Sequence, residues 1–400
     1  KRMATRTEAT FFPPIPEAQR WLKGVDFPAD RPLINLSQAA PADPPPAPMR
    51  AAMAEMLEDP ASHLYGPVLG LPALRKALAA DWARQYGGTV EAAQVGITAG
   101  CNQAFAATIA ATCGEDDEVI LPVPWYFNHK MWLDMSGLRA VPLTCGPGLV
   151  PDPEAARALI TPRTRAIVLV TPNNPCGVEY PADVLDGFFD LCAETGIRLI
   201  VDETYRDFDS RSRAPHSLLM RDGWDQVLVQ LYSFSKAYRL TGHRVGAVIG
   251  QPELLHQIEK FQDTVAICAP SLGQRAALWG LENLGQWKAE QREEILDRRA
   301  AIEEHFAPLA EKGWRLLGCG AYFAYIEHPF AEGSATLAPR LVREAGVLIL
   351  PATMFTPEGD PSGDRQFRVA FANTDRAGIA AFTRRLAQVD GPLAAPGGAA

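Results

Sequence analysis

Short, continuously apolar runs recur along this chain, and amphipathic stretches separate them. Strands that are covered by helices on both faces have this composition, because neither face of such a strand meets water. Alternation of such strands with helices predicts a mostly parallel sheet with right-handed crossovers. The apolar runs lie at 95–98, 118–121, 140–143, 166–170, 198–201, 227–232 and 245–249. We therefore expect an α/β fold whose large domain has a mostly parallel, seven-stranded sheet.

The pattern changes in the last third of the chain. A long, charged amphipathic helix is expected over 286–307, where Pro308 would stop it, and strands are expected at 321–326 and 346–350. This change predicts a second, smaller α+β domain, to which the apolar run 34–37 would also belong. The expected division is a disordered tail (1–15), an N-terminal segment of the small domain (16–48), the large domain (49–280), the small domain (281–390) and a disordered Pro/Gly/Ala-rich tail (391–400).

Charge and cysteine content narrow the classes of function. The net charge of −9 gives no basic field for nucleic acid, and no long apolar stretch suggests a membrane span or a signal peptide. The seven cysteines are dispersed without paired spacing, which is typical of reduced thiols and of neither a disulfide framework nor a metal site. We expect a cytoplasmic protein with no metal, nucleic-acid or membrane partner.

The run 233–246, which reads SFSKAYRLTGHRVG, carries the strongest chemical signal. Its lysine, Lys236, is flanked by the hydroxyls of Ser233 and Ser235 and is followed eight positions later by Arg244. A lysine amine can form a Schiff base with the aldehyde of pyridoxal phosphate, while hydroxyls and a guanidinium hold the phosphate. The run resembles the cofactor-binding segment of the class I/II aminotransferases, the fold type I pyridoxal-phosphate enzymes related to aspartate aminotransferase.

The resemblance extends over roughly residues 30 to 385 and implies that one strand of the large sheet, 245–249, runs antiparallel to the others. It also implies roles for residues that follow predicted strands. Asp202 would pair with the pyridine nitrogen of the cofactor, and Tyr205 would hydrogen-bond its phenolic oxygen. From the sequence alone, a helix-capping aspartate beside a packed tyrosine is an equally good interpretation of this pair.

Two further loops match cofactor-binding positions of the family. Asn174 would donate to the phenolic oxygen and to the substrate carboxylate, although an ordinary Asn-Pro turn has the same pattern. Gly100, Cys101 and Asn102 stand between a strand and a helix, where main-chain N–H groups would hold the phosphate together with the Lys236 run. The sequence departs from the family pattern at Cys176, where a threonine is usual, and at Cys101 and Asn102.

The remaining assignments concern the substrate and the neighbouring subunit. Tyr126 would stack on the cofactor ring, although Trp125 next to it is the alternative and aromatic pairs are more often core. Tyr65 would reach the phosphate of a partner subunit, which implies a homodimer with shared active sites; a β-turn before a helix near residue 72 is the simpler interpretation. Arg368, an arginine among apolar residues, would bind the substrate α-carboxylate unless an internal carboxylate pairs with it.

Two further departures and the choice of reaction complete the interpretation. The family usually has glycine opposite the carboxylate-binding arginine, where this chain has Ala39, and often tryptophan at the position of His243. The implied activity is transfer of an amino group between an L-amino acid and a 2-keto acid by a ping-pong mechanism. A C–S (β) lyase on the same fold stays the alternative, since fold alone does not decide the reaction. A cofactor-sensing regulator is disfavoured by the acidic charge. Trp125, His129, Trp132 and Tyr322 suggest an aromatic substrate pocket.

Overall fold

A seven-stranded sheet forms the centre of the protein in the computed structural model, which describes residues 2–396. Six strands run parallel, and Gly246–Ile249 runs antiparallel to both of its neighbours, as predicted. The order across the sheet is Val95–Thr98, Gly246–Ile249, Leu228–Ser233, Arg198–Asp202, Thr164–Val170, Glu118–Val123 and Arg139–Thr144. Each of the seven strands predicted for this sheet is present, with ends displaced by at most two residues. The strand predicted at 346–350 is instead two short strands, Val347–Leu348 and Leu350–Pro351, which belong to different sheets.

Helices cover both faces of this sheet, which explains the continuous apolar character of its strands. Along Thr164–Val170, Ile167 packs into one hydrophobic cluster and Val168 into the cluster on the opposite face. The chain leaves the helix Ala182–Thr195 through Gly196, which has a left-handed conformation (φ 71°) that glycine adopts without strain. The helices are Ala47–Met56, Pro72–Tyr86, Cys101–Thr112, Phe127–Met135, Pro153–Arg157, Ala182–Thr195, Phe234–Ala237, Pro252–Val265 and Ser271–Asn283.

A second group of strands and helices follows the long helix Gly285–His305. Its antiparallel sheet has the order Leu350–Pro351, Gln366–Ala370, Phe323–Glu327 and Arg315–Gly320. Its remaining helices are Ala307–Glu311, Ser334–Ala345 and Arg376–Ala387. The strand Ile34–Asn35 pairs in parallel with Val347–Leu348, so the N-terminal segment associates with the C-terminal part of the chain, as the pattern indicated. The domain boundaries given above stay a prediction.

Three local expectations need correction. Pro308 does not simply stop the long helix, because a new helix begins at Ala307 and proline is well tolerated in a first turn. Residues before 15 were expected to be disordered, yet Thr7–Ala9 is a 3₁₀ helix and Arg6 lies 3.2 Å from Glu115. In the C-terminal tail, Leu393 bridges to Phe330 through the backbone. The composition predicted disorder at both ends of the chain, but a few long-range contacts fix these residues. Lys1 and 397–400 lie outside the described residues.

None of the helices within 2–396 combines the length and the apolar composition that crossing a bilayer requires.

Candidate active site

One cavity lies where the strands of the large sheet end, and it brings together residues that are far apart in sequence. Most of the predicted site residues line it. They are Ala39, Cys101, Asn102, Tyr126, Asn174, Asp202, Tyr205, Ser233, Ser235, Lys236, Arg244 and Arg368. Gly100 adjoins it through contact with Arg244, and Tyr65 does not line it.

Lys236 lies in the short helix Phe234–Ala237, directly after the strand Leu228–Ser233. The hydroxyl of Ser233 accepts a hydrogen bond from the Ser235 backbone N–H (3.1 Å) and so caps this helix. Burial is the main cause that lowers the pKa of the Lys236 amine from 10.5 to about 8, and the positive charges of Arg368 and Arg244 contribute in the same direction. The neutral fraction of this amine near physiological pH is therefore far larger than that of an exposed lysine, and the neutral amine is the form that acts as a nucleophile or a base.

Asp202 stands at the end of the strand Arg198–Asp202 with its two carboxylate oxygens in different contacts. Oδ1 accepts from the Thr204 hydroxyl (2.6 Å) and backbone N–H (3.1 Å), whereas Oδ2 lies 3.3 Å from Nε2 of His129. Burial alone would raise the pKa of Asp202, but the hydrogen bonds from His129 and Thr204 outweigh it and hold the pKa below its usual value. Asp202 does not cap a helix, because the next helix, Arg206–Phe208, has Tyr205 at its N-cap; Oδ1 instead stabilises the turn at Thr204. The carboxylate stays ionised beside the cavity.

His129 is the partner of Asp202 that the sequence reasoning did not identify. It lies in the first turn of the helix Phe127–Met135, is buried, and stacks on Phe105 with a centroid distance of 4.0 Å. The sequence placed His129 among aromatic pocket residues, and nothing in the residues around it indicates a contact with Asp202. Thr204 was missed because its role depends on the Asp202 side chain turning back towards the following loop.

Glu203 follows Asp202 but points away from the cavity, into the large domain. Its fully buried carboxylate accepts from the Tyr86 hydroxyl (2.8 Å) and lies 3.0 Å from His216 Nε2. Gln230 donates a further hydrogen bond to it. A buried carboxylate is stable only when it is hydrogen-bonded in this way. These contacts fix the residue that directly follows Asp202, on the side of the strand that faces away from the cavity.

The part of the cavity beside the start of the helix Cys101–Thr112 can bind an anion. The helix Cys101–Thr112 begins after Gly100 (φ 90°), which offers no side-chain cap, so the first N–H groups of the helix are available. A Cβ at Gly100 would lie 2.1 Å from Arg244 Nη2, and a Cβ at Gly246 would lie 2.5 Å from the Gly100 carbonyl carbon. Because both positions are glycine, the Arg244 guanidinium can lie beside the start of this helix. Its Nη1 also lies 3.5 Å from the Ser235 hydroxyl oxygen.

Arg368 lies in the strand Gln366–Ala370 and is only 2% exposed. It donates to Asn174 Oδ1 (3.1 Å) and to the Ser37 carbonyl oxygen, and its Nε has no partner among residues 2–396. Burial lowers the pKa of this guanidinium to about 10. No carboxylate within the described part of the chain forms a salt bridge with it, so the alternative of an internal ion pair is not what the structure shows. A buried guanidinium that has no carboxylate partner in the protein can bind an anionic ligand.

The loop that carries Asn174 is held by its neighbour. Asn173 donates to the Val170 carbonyl (3.1 Å) and accepts from the Cys176 backbone N–H (3.0 Å). The buried Cys176 thiol bonds to the same Asn173 oxygen (2.9 Å), so cysteine fits the position where the family usually has threonine. The Asn-Pro turn is therefore present, and it directs Asn174 into the cavity.

The aromatic residues divide between the cavity and the core. Tyr126 lines the cavity, whereas Trp125 is 5% exposed and belongs to a hydrophobic cluster of the large domain. Trp132 packs on Phe261, and Tyr322 packs on Phe208. The expectation of an aromatic substrate pocket is therefore wrong for all four of its residues, since none of them lines the cavity: the other three pack in hydrophobic clusters, and His129 contacts Phe105 and Asp202.

Tyr65 lies in the segment between Pro60–His63 and the helix Pro72–Tyr86, as the turn interpretation predicted. It is 77% exposed, and its neighbour Leu64 is 65% exposed. Its predicted contact with a partner subunit stays a prediction.

Known proteins resemble this chain over most of its length. The family "Aminotransferase class I and II" matches residues 31–386. Aromatic aminotransferase ISS1 of Arabidopsis thaliana is 29% identical over 364 residues (88% of each chain), and the valine–pyruvate aminotransferase of Mycobacterium tuberculosis is 31% identical over 357 residues, 85% of this chain and 87% of that one. Aspartate aminotransferase from Thermus thermophilus, solved with maleate, superimposes with a TM-score of 0.85 at 26% identity, covering 96% of this chain and 100% of its own. The chain belongs to the class I and II aminotransferase family.

Proposed function

We propose that this aminotransferase holds pyridoxal phosphate on Lys236 and transfers an amino group from an L-amino acid to a 2-keto acid by a ping-pong mechanism. The observation that carries the proposal is the set of charges in one cavity. An amine with a lowered pKa shares the cavity with an ionised carboxylate and two arginines, one beside a helix start and one buried without a carboxylate partner. This set matches a ligand with a basic ring nitrogen, an aldehyde and a phosphate, beside a second ligand with a carboxylate.

The donor set fits the cofactor at each of its groups. The carboxylate of Asp202 would pair with the ring nitrogen, Tyr205 and Asn174 would donate to the phenolic oxygen, and Tyr126 would stack on the ring. Gly100, Cys101, Asn102, Ser233, Ser235 and Arg244 would hold the phosphate. When bound, pyridoxal phosphate supplies an electron sink for the electrons that the substrate α-carbon releases.

The protein's own residues then do three things. Arg368 and Asn174 bind the α-carboxylate, which directs the α-hydrogen towards Lys236. Lys236 can act as a base only after the substrate amino group has replaced it on the cofactor. Its freed, neutral amine would then remove the proton from the α-carbon and deliver it to the former aldehyde carbon of the cofactor. Asp202, kept ionised by His129 and Thr204, keeps the ring nitrogen protonated. None of the relatives described above is named as a lyase, and the lyase alternative is not favoured.

We also infer a homodimer in the cytoplasm. The exposed segment around Leu64 and Tyr65 supports the dimer, because large apolar side chains on a surface mark contact sites. Each site would then be completed by Tyr65 of the other subunit. All seven cysteines are unpaired, which agrees with a reducing compartment.

Reduction of the cofactor-loaded protein with borohydride tests the central assignment. Peptide mapping should place the pyridoxyl group on Lys236, because this amine has the lowered pKa and lies in the cavity. Lys130→Ala, which removes an amine paired with Asp134, should keep the label, and Lys236→Ala should lose it. Label on another lysine in the wild-type protein would contradict the proposal.

A further inference from the structure

The cavity has a charged end and a neutral rim. Four side chains lining the cavity carry the charges that its ligands would meet, namely Lys236, Asp202, Arg244 and Arg368. The proposed function uses each of them: two for the cofactor's ring nitrogen and phosphate, one for the reaction and one for the α-carboxylate. The charged end therefore leaves no further cation or anion for the side chain of an amino-acid substrate.

Several residues that line the cavity have no role in the proposed function, and we refer to five of them as the rim: Ile15, Gln38, Ala40, Phe127 and Asn128. All five side chains are neutral. Of the two amides, that of Asn128 is already engaged, since its oxygen accepts from the Tyr126 hydroxyl (2.8 Å) and its nitrogen lies 3.6 Å from Met131 Sδ.

The side-chain amide of Gln38, unlike that of Asn128, is free to bind a ligand. Gln38 is exposed and directly follows Ser37, whose carbonyl oxygen accepts a hydrogen bond from Arg368. It makes no side-chain hydrogen bond to any residue within 2–396. Its amide can donate to or accept from a neutral group, but it cannot neutralise a charge.

We propose that the amino donor carries an uncharged side chain, polar or apolar, which occupies this rim with its end near the Gln38 amide; this inference rests on the proposed function. A charged end would lose water on binding and meet no opposite charge, which is costly, whereas an amide or thioether end would not. The segment 64–71, which we infer reaches the partner's site, reads LYGPVLGL and would bring no charge either.

Single-turnover half-reactions test the proposal with pairs of amino acids whose unbranched side chains are similar in length but differ in charge. The rate at low substrate concentration is measured for glutamine against glutamate, and for methionine against lysine, from the loss of absorbance of the aldehyde form. We expect the neutral member of each pair to react at least about 10-fold faster, which corresponds to about 1.4 kcal/mol. Glutamate or lysine reacting as fast as its neutral counterpart would overturn the inference.

A charge placed on the rim sharpens the test. Gln38→Arg should raise the ratio of glutamate to glutamine rates by about 10-fold or more, because it supplies the missing cation. Gln19→Arg makes the same change at an exposed position that does not line the cavity and should leave the ratio at its wild-type value. An unchanged ratio in a folded, cofactor-loaded Gln38→Arg protein would show that the side chain does not reach Gln38. If none of the four amino acids nor any other converts the cofactor, the proposed function itself fails, which is a different result.

Discussion

The two ends of the cavity are built in different ways. At the cofactor end, Asp202, Lys236 and the Cys101 helix each follow a strand of one sheet, so the regular spacing of strands places them. At the substrate end, Arg368 comes from a different sheet, and Gln38 and Ile15 come from the N-terminal segment. The first end is fixed by local structure, whereas the second depends on how distant segments pack. Changes at the cofactor end should therefore affect every substrate, and changes at the substrate end should affect substrates selectively.

The largest effect is expected from Asp202→Ala. Loss of the carboxylate removes the partner of the protonated ring nitrogen, and we expect turnover to fall by roughly 10³-fold or more, since electrostatic groups of this kind contribute several kcal/mol. The fall should be the same for every amino donor. Steady-state rates with several donors measure it, and circular dichroism checks the fold.

Asp222→Ala is the control, because Asp222 is exposed and lies outside the cavity. A donor-dependent loss in Asp202→Ala, or near-normal turnover, would break the distinction between the two ends.

A smaller effect is expected from Arg368→Lys. An ammonium cannot reproduce the two-point contact of a guanidinium with a carboxylate, and we expect the half-reaction to slow by about 10- to 100-fold. Binding of the cofactor should be unchanged, because Arg368 belongs to the substrate end. Absorbance titration with pyridoxal phosphate and rapid-mixing kinetics separate the two quantities.

Arg384→Lys, at an exposed position of the helix Arg376–Ala387, should match wild type. An unaffected half-reaction in Arg368→Lys would mean that this arginine only supports the structure.

The smallest effect is expected from Tyr65→Phe, which tests whether a partner subunit completes the cofactor end. Loss of one hydrogen bond to a charged phosphate, about 1.5–3 kcal/mol, should weaken cofactor retention by at least about 10-fold. Dialysis followed by measurement of bound pyridoxal phosphate gives the effect, and light scattering gives the mass of the particle.

Tyr325→Phe is a matched control, because the buried Tyr325 hydroxyl has no partner among residues 2–396. A protein that is monomeric by light scattering and fully active would rule out shared active sites.

The residues that line the proposed cofactor end could be located from the sequence because their motifs are local. Apolar strands, the turn residues after them and the Lys236 run can each be recognised within a short window of sequence. The contact of His129 with Asp202 could not be recognised in this way, since the helix that carries His129 follows a different strand.

The substrate end was less predictable for a physical reason. Arg368 was identified because a charge among apolar residues is conspicuous, but Gln38 has no such signal and gains its place only from packing. The strand Arg315–Gly320 was missed because glycine is rare in strands. The structure shows why glycine is needed there: a Cβ at Gly320 would lie 2.1 Å from the Gly177 carbonyl oxygen.

The buried hydrogen bonds of the Glu203 carboxylate affect how this enzyme could acquire new substrates. Its carboxylate joins Tyr86, His216 and Gln230, residues from separate parts of the large domain, to the residue next to Asp202. Random substitution at any of these four positions would leave a polar group without a partner and would reduce the yield of folded variants. A directed-evolution library aimed at donor scope should hold these positions constant and diversify the rim, where variation is compatible with an intact cofactor site.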